Sequence, residues 1–257
     1  MPSSPPQVSV CVPHWQAQVL IQPCLRALRK HTEPGRLEVI VVDNGSQDAS
    51  LDYLRGLEWI VLVERPEEGP QGWPENAFSA WDVVLARARA PLFLTLHSDV
   101  FVRRAGWLDP LVRALEDPAV AGAGPGKQER GGLYRLQKRL VAGAVDRLRG
   151  RRRVEAPAHP RDYCALFRTA ALRERGLSFR PVHGGGGISI ARGLWDAGLE
   201  TRQVDLGDAV LHVGHGVALT DPERFDARTQ AKARERWGRV ADAPWLRELL
   251  EDDALDR

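Results

Sequence analysis

The chain is 257 residues long and 28.5 kDa, with 43% hydrophobic and 27% charged residues, a composition that fits one large buried core and excludes disordered and fibrous classes. Its net charge of +2 argues against a nucleic-acid protein as such, and no apolar run reaches the ~18 residues needed to cross a bilayer. Residues 1–7 have neither the basic nor the apolar region of a signal peptide, and Cys11, Cys24 and Cys164 have no metal-type spacing, so a cytoplasmic protein with reduced thiols is expected.

The first element, 8–13, is a short β-branched run stopped by Pro13, which reads as a buried strand. Leu20, Ile21, Cys24, Leu25 and Leu28 then fall at helical spacing across 19–31, and Pro34-Gly35 breaks the helix. Residues 37–43 form an unbroken apolar run, as strands do when helices cover both faces of a parallel sheet. After a turn at Asn44-Gly45-Ser46 come a short helix at 49–56, a strand at 58–63, a Gly/Pro-rich loop through Pro74, a helix at 75–89 and a strand at 91–96. Strand and helix thus alternate four times within about 100 residues, the signature of right-handed crossovers in a doubly wound α/β sheet. Ligands bind such sheets beyond the carboxyl ends of the strands. Pro13, His14 and Trp15, then Asp43, Asn44 and Gly45, then His97, Ser98 and Asp99 are therefore expected to meet at one edge.

Further on, a helix is expected at 107–116, strands at 120–123 and 162–167, a helix at 170–175, a flexible glycine loop at 183–187 and a helix at 188–197 with Gly198 as its cap. Short strands at 201–205 and 209–212 follow, and Asp221-Pro222 reads as the start of a polar helix running to Trp237. Between residues 127 and 153 ten basic residues face two acidic ones. There Leu133, Leu136, Leu140, Ala144 and Leu148 lie at helical spacing among Arg135, Lys138, Arg139, Arg147 and Arg149, the pattern of a basic amphipathic helix. Such a helix either packs on the domain with a solvated face, touches a membrane surface or lipid-phosphate acceptor, or recognises another anionic acceptor.

The strand and loop Val-Ser-Val-Cys-Val-Pro-His-Trp-Gln at 8–16 resemble the opening of family 2 glycosyltransferases with the GT-A fold. Val-Ile-Val-Val-Asp-Asn-Gly-Ser-Gln-Asp at 39–48 is similar to that family's second signature. Asn76-Ala77 and then Ala-Pro-Leu-Phe-Leu-Thr-Leu-His-Ser-Asp at 90–99 match the stretch ending in its Asp-x-Asp motif, and Ala197-Gly198 with the strand to His212 match its closing elements. The resemblance runs from about Val8 to His215, specific in its first half and loose in its second. It implies a GT-A-type, mostly parallel sheet flanked by helices, with a short antiparallel portion in the C-terminal half. One domain over 1–257 is expected, with a nucleotide-sugar half at 1–124, an acceptor half at 125–220 and a helical tail at 221–257.

The implied activity is transfer of a hexose-type unit from a nucleoside-diphosphate sugar, assisted by Mn2+ or Mg2+. Trp15 takes the place of an aromatic that stacks on the base, Asp43 that of a residue reading base or ribose, and Asn76 joins the donor site. Asp99 is the implied metal ligand, neutralising the diphosphate as it leaves. His97 stands where the motif's first Asp belongs, a change that favours Mn2+ over Mg2+, and His212 is implied as a further metal or diphosphate contact. Where inverting members carry an acidic pair, this chain has four glycines at 184–187. His183 could then serve as base, or a carboxylate such as Glu129 or Asp162, or the enzyme has no such base because it is retaining or idle. A non-catalytic sugar-nucleotide-binding protein is the rival expectation, and a nucleotidyltransferase is disfavoured by the lack of a phosphate loop after the first strand.

Overall fold

The computed structural model describes residues 5–69, 72, 74–126, 159–180 and 186–257. The expectations placed on residues 127–153, which include Glu129, and on His183 lie outside these. Four parallel strands come first: β1 (Val8–His14), β2 (Leu37–Asp43), β3 (Val61–Glu64) and β4 (Leu92–Leu96), with α1 (Gln18–His31), α2 (Ala49–Arg55) and α3 (Glu75–Arg87) between them. β6 (Val120–Gly124), β7 (Cys164–Arg168) and β8 (Glu200–Gln203) complete a seven-stranded sheet of order β3-β2-β1-β4-β7-β6-β8. β7 runs antiparallel to both β4 and β6, so the antiparallel portion sits in the second half of the chain.

The two-residue period of the strands divides the core. Val8, Val10 and Val12 of β1, Val39 and Val41 of β2 and Leu94 of β4 pack on one side with α1. Cys11, Ile40, Val42 and Phe93 point to the other side, against Trp81, Val84 and Leu85 of α3. All three cysteines are free and buried.

Register places the strand ends. β1 and β2 pair from Val8–Leu37 to His14–Asp43, so His14 and Asp43 finish level. β1 and β4 pair only as far as Cys11–Thr95, and beyond this the two chains separate. Just after β4 comes a strand that has no signal of its own in the sequence, β5 (Val100–Val102), which pairs antiparallel with β9 (Val210–His212) in a separate two-stranded sheet. Val100 lies opposite His212, which brings Asp99 beside a histidine far away in sequence.

The second half also holds α4 (Asp109–Ala114), α5 (Thr169–Arg173), α6 (Gly186–Asp196), α7 (Val217–Thr220), α8 (Ala227–Gly238) and α9 (Pro244–Glu251). Two of the expected loop glycines, Gly186 and Gly187, thus belong to a helix. The polar helix does not open at Asp221: Pro222–Arg224 is a 3-10 turn, and Asp226 caps α8 by accepting from the Thr229 N–H at 2.9 Å. The C-terminal segment docks on α1 through Arg26, whose guanidinium donates to the Leu249 and Leu250 carbonyls at 2.9 and 2.7 Å and to Asp253 at 2.7 Å. Asp256 accepts from Arg26 at 2.9 Å and from the Tyr53 hydroxyl at 2.9 Å. Among the described residues, no helix is long and apolar enough to cross a membrane.

Candidate active site

A cleft of about 370 Å3 opens at the carboxyl edge of β1, β2 and β4. Pro13, His14, Trp15, Asn44, Asn76, His97, Ser98, Asp99 and His212 all line it, so the chain segments expected to meet at one edge do so. Asp43 and Gly45 lie one step behind. The Asp43 carboxylate accepts from the Gly45 and Ser46 N–H groups at 3.1 and 2.9 Å, closing the turn. Gly45 has φ +80°, and a Cβ there would meet the Glu68 carbonyl oxygen at 2.7 Å. That turn sets the Ser46 hydroxyl to accept from the Gln16 N–H at 2.7 Å, tying the loop that carries Trp15 to the loop that carries Asn44. Gln16 and Ala17 both hold left-handed φ values, 50° and 69°, at this rim.

Asn76, buried at the start of α3, donates to the Gly69 carbonyl at 3.0 Å and so anchors the Gly/Pro-rich loop. His14 is buried too, and its Nε2 lies 2.8 Å from the Ser50 hydroxyl. That hydroxyl donates to Asp48, so it accepts from His14. The imidazole is therefore protonated on Nε2 and leaves Nδ1 a bare acceptor without a partner.

Burial lowers the His14 pKa from 6.5 to about 4, against the pull of Asp43 and Asp48. The unfolded chain takes up this proton first. The contribution of His14 to stability is whole above pH 6.5 and falls by roughly 3 kcal/mol as pH drops toward 4. A His14→Gln variant should show a flatter fall in Tm across that window; parallel melting curves would remove His14 from the acid response.

The floor of the cleft is Asp99, 7% exposed. Its Oδ2 accepts from the Gly216 N–H at 3.0 Å, while Oδ1 is buried with no hydrogen-bond partner. His212 Nε2 stands 3.3 Å and His97 Nδ1 3.9 Å from that oxygen. Burial would raise the Asp99 pKa, but the two imidazoles and the Gly216 N–H outweigh it and hold the carboxyl well below the usual range. Burial lowers the His97 pKa against the Asp162 and Asp99 carboxylates, with His212 adding to the fall. A ring stack fixes both imidazoles: Trp81 lies on His97 at 5.7 Å and Tyr163 on His212 at 4.1 Å. Gly216 is required beside them, because a Cβ would meet Leu20 at 2.5 Å and the Asp99 Cβ at 2.9 Å.

One ligand atom each from His97, Asp99 and His212 lies within 4.8 Å of the others, and the orphaned Asp99 oxygen has the chemistry of a metal ligand. These residues fit a divalent ion. The sequence model of glycosyl transferase family 2 matches residues 9–176. The chain belongs to glycosyl transferase family 2.

Two solved structures share the fold, and one protein matches in sequence over a short stretch. Glycosyltransferase AglE of Haloferax volcanii is 37% identical over 75 residues, 27% of this chain and 25% of that protein, so the chain spans about a quarter of its length. The mannosyltransferase PcManGT of Pyrobaculum calidifontis, solved with GDP-Man and Mn2+, is 21% identical with a TM-score of 0.60 over 99% of this chain and 81% of that one. Glucosyl-3-phosphoglycerate synthase of Mycobacterium tuberculosis, solved with Mn2+, UDP-Glc and phosphoglyceric acid, is 20% identical with a TM-score of 0.56 over 91% and 80%. The α/β sheet of this family 2 chain is thus of the GT-A type.

Several cleft residues were not singled out from sequence. Arg236 on α8 lines the cleft and donates to the Val213 carbonyl at 3.1 Å, and the Arg224 guanidinium sits 5.7 Å above the Trp15 ring. Trp81, Phe225 and Gly216 also line it. None carries a local motif: an Arg in a polar helix and a Trp in an apolar helix face read as ordinary surface and core.

Proposed function

We propose that this chain transfers a hexose-type sugar from a nucleoside-diphosphate sugar to an acceptor, with the donor in the cleft between β1 and β9. The observation that carries the reading is the buried, unpartnered Asp99 oxygen flanked by two imidazoles at the sheet's carboxyl edge. Family membership supports it, as do neighbours of the same fold that bind GDP-Man or UDP-Glc with Mn2+.

Each side chain has a part in that scheme. Trp15 offers a flat face to the base, and Asn44 and His14 offer acceptors beside it. Asp43 acts through the turn that positions Asn44, and Asn76 holds the loop over the donor. Arg236 brings positive charge to the diphosphate. A divalent cation, Mn2+ or Mg2+, held by His97, Asp99 and His212 would neutralise the departing nucleoside diphosphate. His183, next in sequence to the glycines, is the candidate to take the acceptor's proton, with Asp162 or Glu129 as carboxylate alternatives. The basic stretch at 127–153 supplies charge for an anionic or lipid-phosphate acceptor.

One observation favours a second reading, binding without turnover. Gly186 and Gly187 open α6 with little room for side chains: a Cβ on Gly186 would meet the Phe78 ring at 2.7 Å, and one on Gly187 would press on Asp162 at 3.2 Å. That helix start carries no acidic pair.

A thermal-shift panel of UDP, GDP, dTDP and CDP, each with Mn2+, Mg2+ or EDTA, tests the donor site. A nucleotide at about 100 times its Kd stabilises by about 2.7 kcal/mol, a rise of roughly 5–10 °C. Stabilisation by one nucleotide only with metal is expected, and no stabilisation by any would overturn the reading. Trp15→Ala should weaken binding of that nucleotide by about 5- to 150-fold, as lost stacking of about 1–3 kcal/mol requires. Hydrolysis or transfer of the matching nucleotide sugar then separates enzyme from binding protein.

A further inference from the structure

The cation site differs from an all-carboxylate one in a way that sets which ion it takes. His97 puts an imidazole nitrogen where a second carboxylate oxygen would bring negative charge. With His212 and Asp99 it makes a set of two nitrogens and one oxygen. Two donors each about 2.1 Å from a shared ion lie no more than about 4.2 Å apart. The His212–Asp99 and His97–Asp99 separations, 3.3 and 3.9 Å, fall inside that span, and all three ligand atoms lie within 4.8 Å of one another, so a small approach of the two imidazoles completes the set. Both rings are held in place by aromatic partners, Trp81 on His97 and Tyr163 on His212, so little ordering is left for the ion to impose. The second Asp99 oxygen is occupied by the Gly216 N–H, which leaves a single oxygen facing the imidazoles.

We propose that His97, Asp99 and His212 form a two-histidine, one-carboxylate site that selects late first-row ions such as Co2+ and Zn2+ over Mn2+, and Mn2+ over Mg2+, and that holds its ion before any nucleotide arrives. Mg2+ is small and hard, keeps its water and prefers oxygen, so exchanging a carboxylate for an imidazole removes both charge and the preferred atom. Imidazole suits later transition ions, whose affinity for a given nitrogen and oxygen set rises from Mn2+ toward Cu2+. Three protein ligands suffice to hold such an ion while its other positions stay open for phosphate oxygens. The inference concerns the cation of the proposed transfer, but binding of metal alone reads it without any donor sugar. Its failure would leave the transfer reading standing, and failure of the nucleotide panel would leave the metal site standing.

The test is calorimetric titration of the metal-free full chain with CoCl2, ZnCl2, MnCl2 and MgCl2, without nucleotide. One equivalent of Co2+ and of Zn2+ should bind at least about tenfold more tightly than Mn2+, with Mg2+ weakest. The Co2+ complex should show visible absorption bands of a nitrogen-ligated ion, and pulsed electron resonance of the Mn2+ complex should show coupling to imidazole nitrogen. His97→Asp should weaken Co2+ and strengthen Mg2+, closing the gap. Mg2+ binding as tightly as Co2+, binding of any ion only when nucleotide is present, or no nitrogen coupling would each overturn the proposal. The spectra are taken on the unaltered protein, so the proposal stays open to refutation even if His97→Asp fails to fold.

Discussion

Asp99→Asn should lower kcat/KM for the nucleotide sugar on the order of 10^3-fold while the protein stays folded. Asparagine keeps the size of the side chain, and its oxygen can still accept from the Gly216 N–H. The exchange removes the negative charge aimed at His97 and His212. A bound cation supplies several kcal/mol of charge stabilisation to a departing diphosphate, and about 4 kcal/mol corresponds to that factor. Thermal shifts tell the roles apart: the variant should lose the metal-dependent part of nucleotide stabilisation and keep any metal-independent part. Unchanged metal dependence in Asp99→Asn would dismiss this carboxylate as a ligand.

Arg26→Met should cost about 3 kcal/mol of stability and lower Tm by roughly 6–12 °C. Methionine retains much of the aliphatic stem, so the loss comes from the guanidinium. Arg26 is 1% exposed and serves the Leu249 and Leu250 carbonyls together with Asp253 and Asp256. Asp253 is 84% exposed, so its ion pair is screened and adds little. The two carbonyls, left without a donor, and Asp256 account for most of the effect. Limited proteolysis checks the consequence: the segment after Pro244 should be cut in the variant before the rest of the chain. A Tm within 2 °C of the parent would show that the apolar contacts of Leu246 and Leu249 hold this segment by themselves.

The parallel half of the fold was legible because its strands are continuous apolar runs with helical periodicity between them. Burial is reflected directly in such patterns. The carboxyl-end rule then singled out Trp15, Asn44, His97 and Asp99 without structural information, and the family resemblance added Asn76 and His212. β5 was not legible: Val100–Val102 is a strand only because Val210–His212 pairs with it from the other end of the chain. Asp221-Pro222 carries the same local signal as a helix start, and the real cap, Asp226, follows a Phe that sequence reasoning had no cause to treat as a boundary. Asp43 shows a subtler limit. An Asp before Asn-Gly suits both ligand contact and turn formation, and only the structure shows that the two N–H groups of the turn take Oδ2 and leave Oδ1 without a partner.

The Trp81 ring lying on His97 makes the site its own optical probe. Trp81 is fully buried and in face contact with a proposed ligand at 5.7 Å. A paramagnetic or light-absorbing ion arriving at His97 would shorten the excited state of that indole, whereas Mg2+ and Zn2+, which have closed shells, would leave it bright. Emission at the blue, buried end of the spectrum should therefore fall with Co2+ or Mn2+ and recover with EDTA, and Trp81→Phe should abolish the response. Occupancy of the cation site could then be followed in real time, in dilute solution, while donor and acceptor are added one after the other.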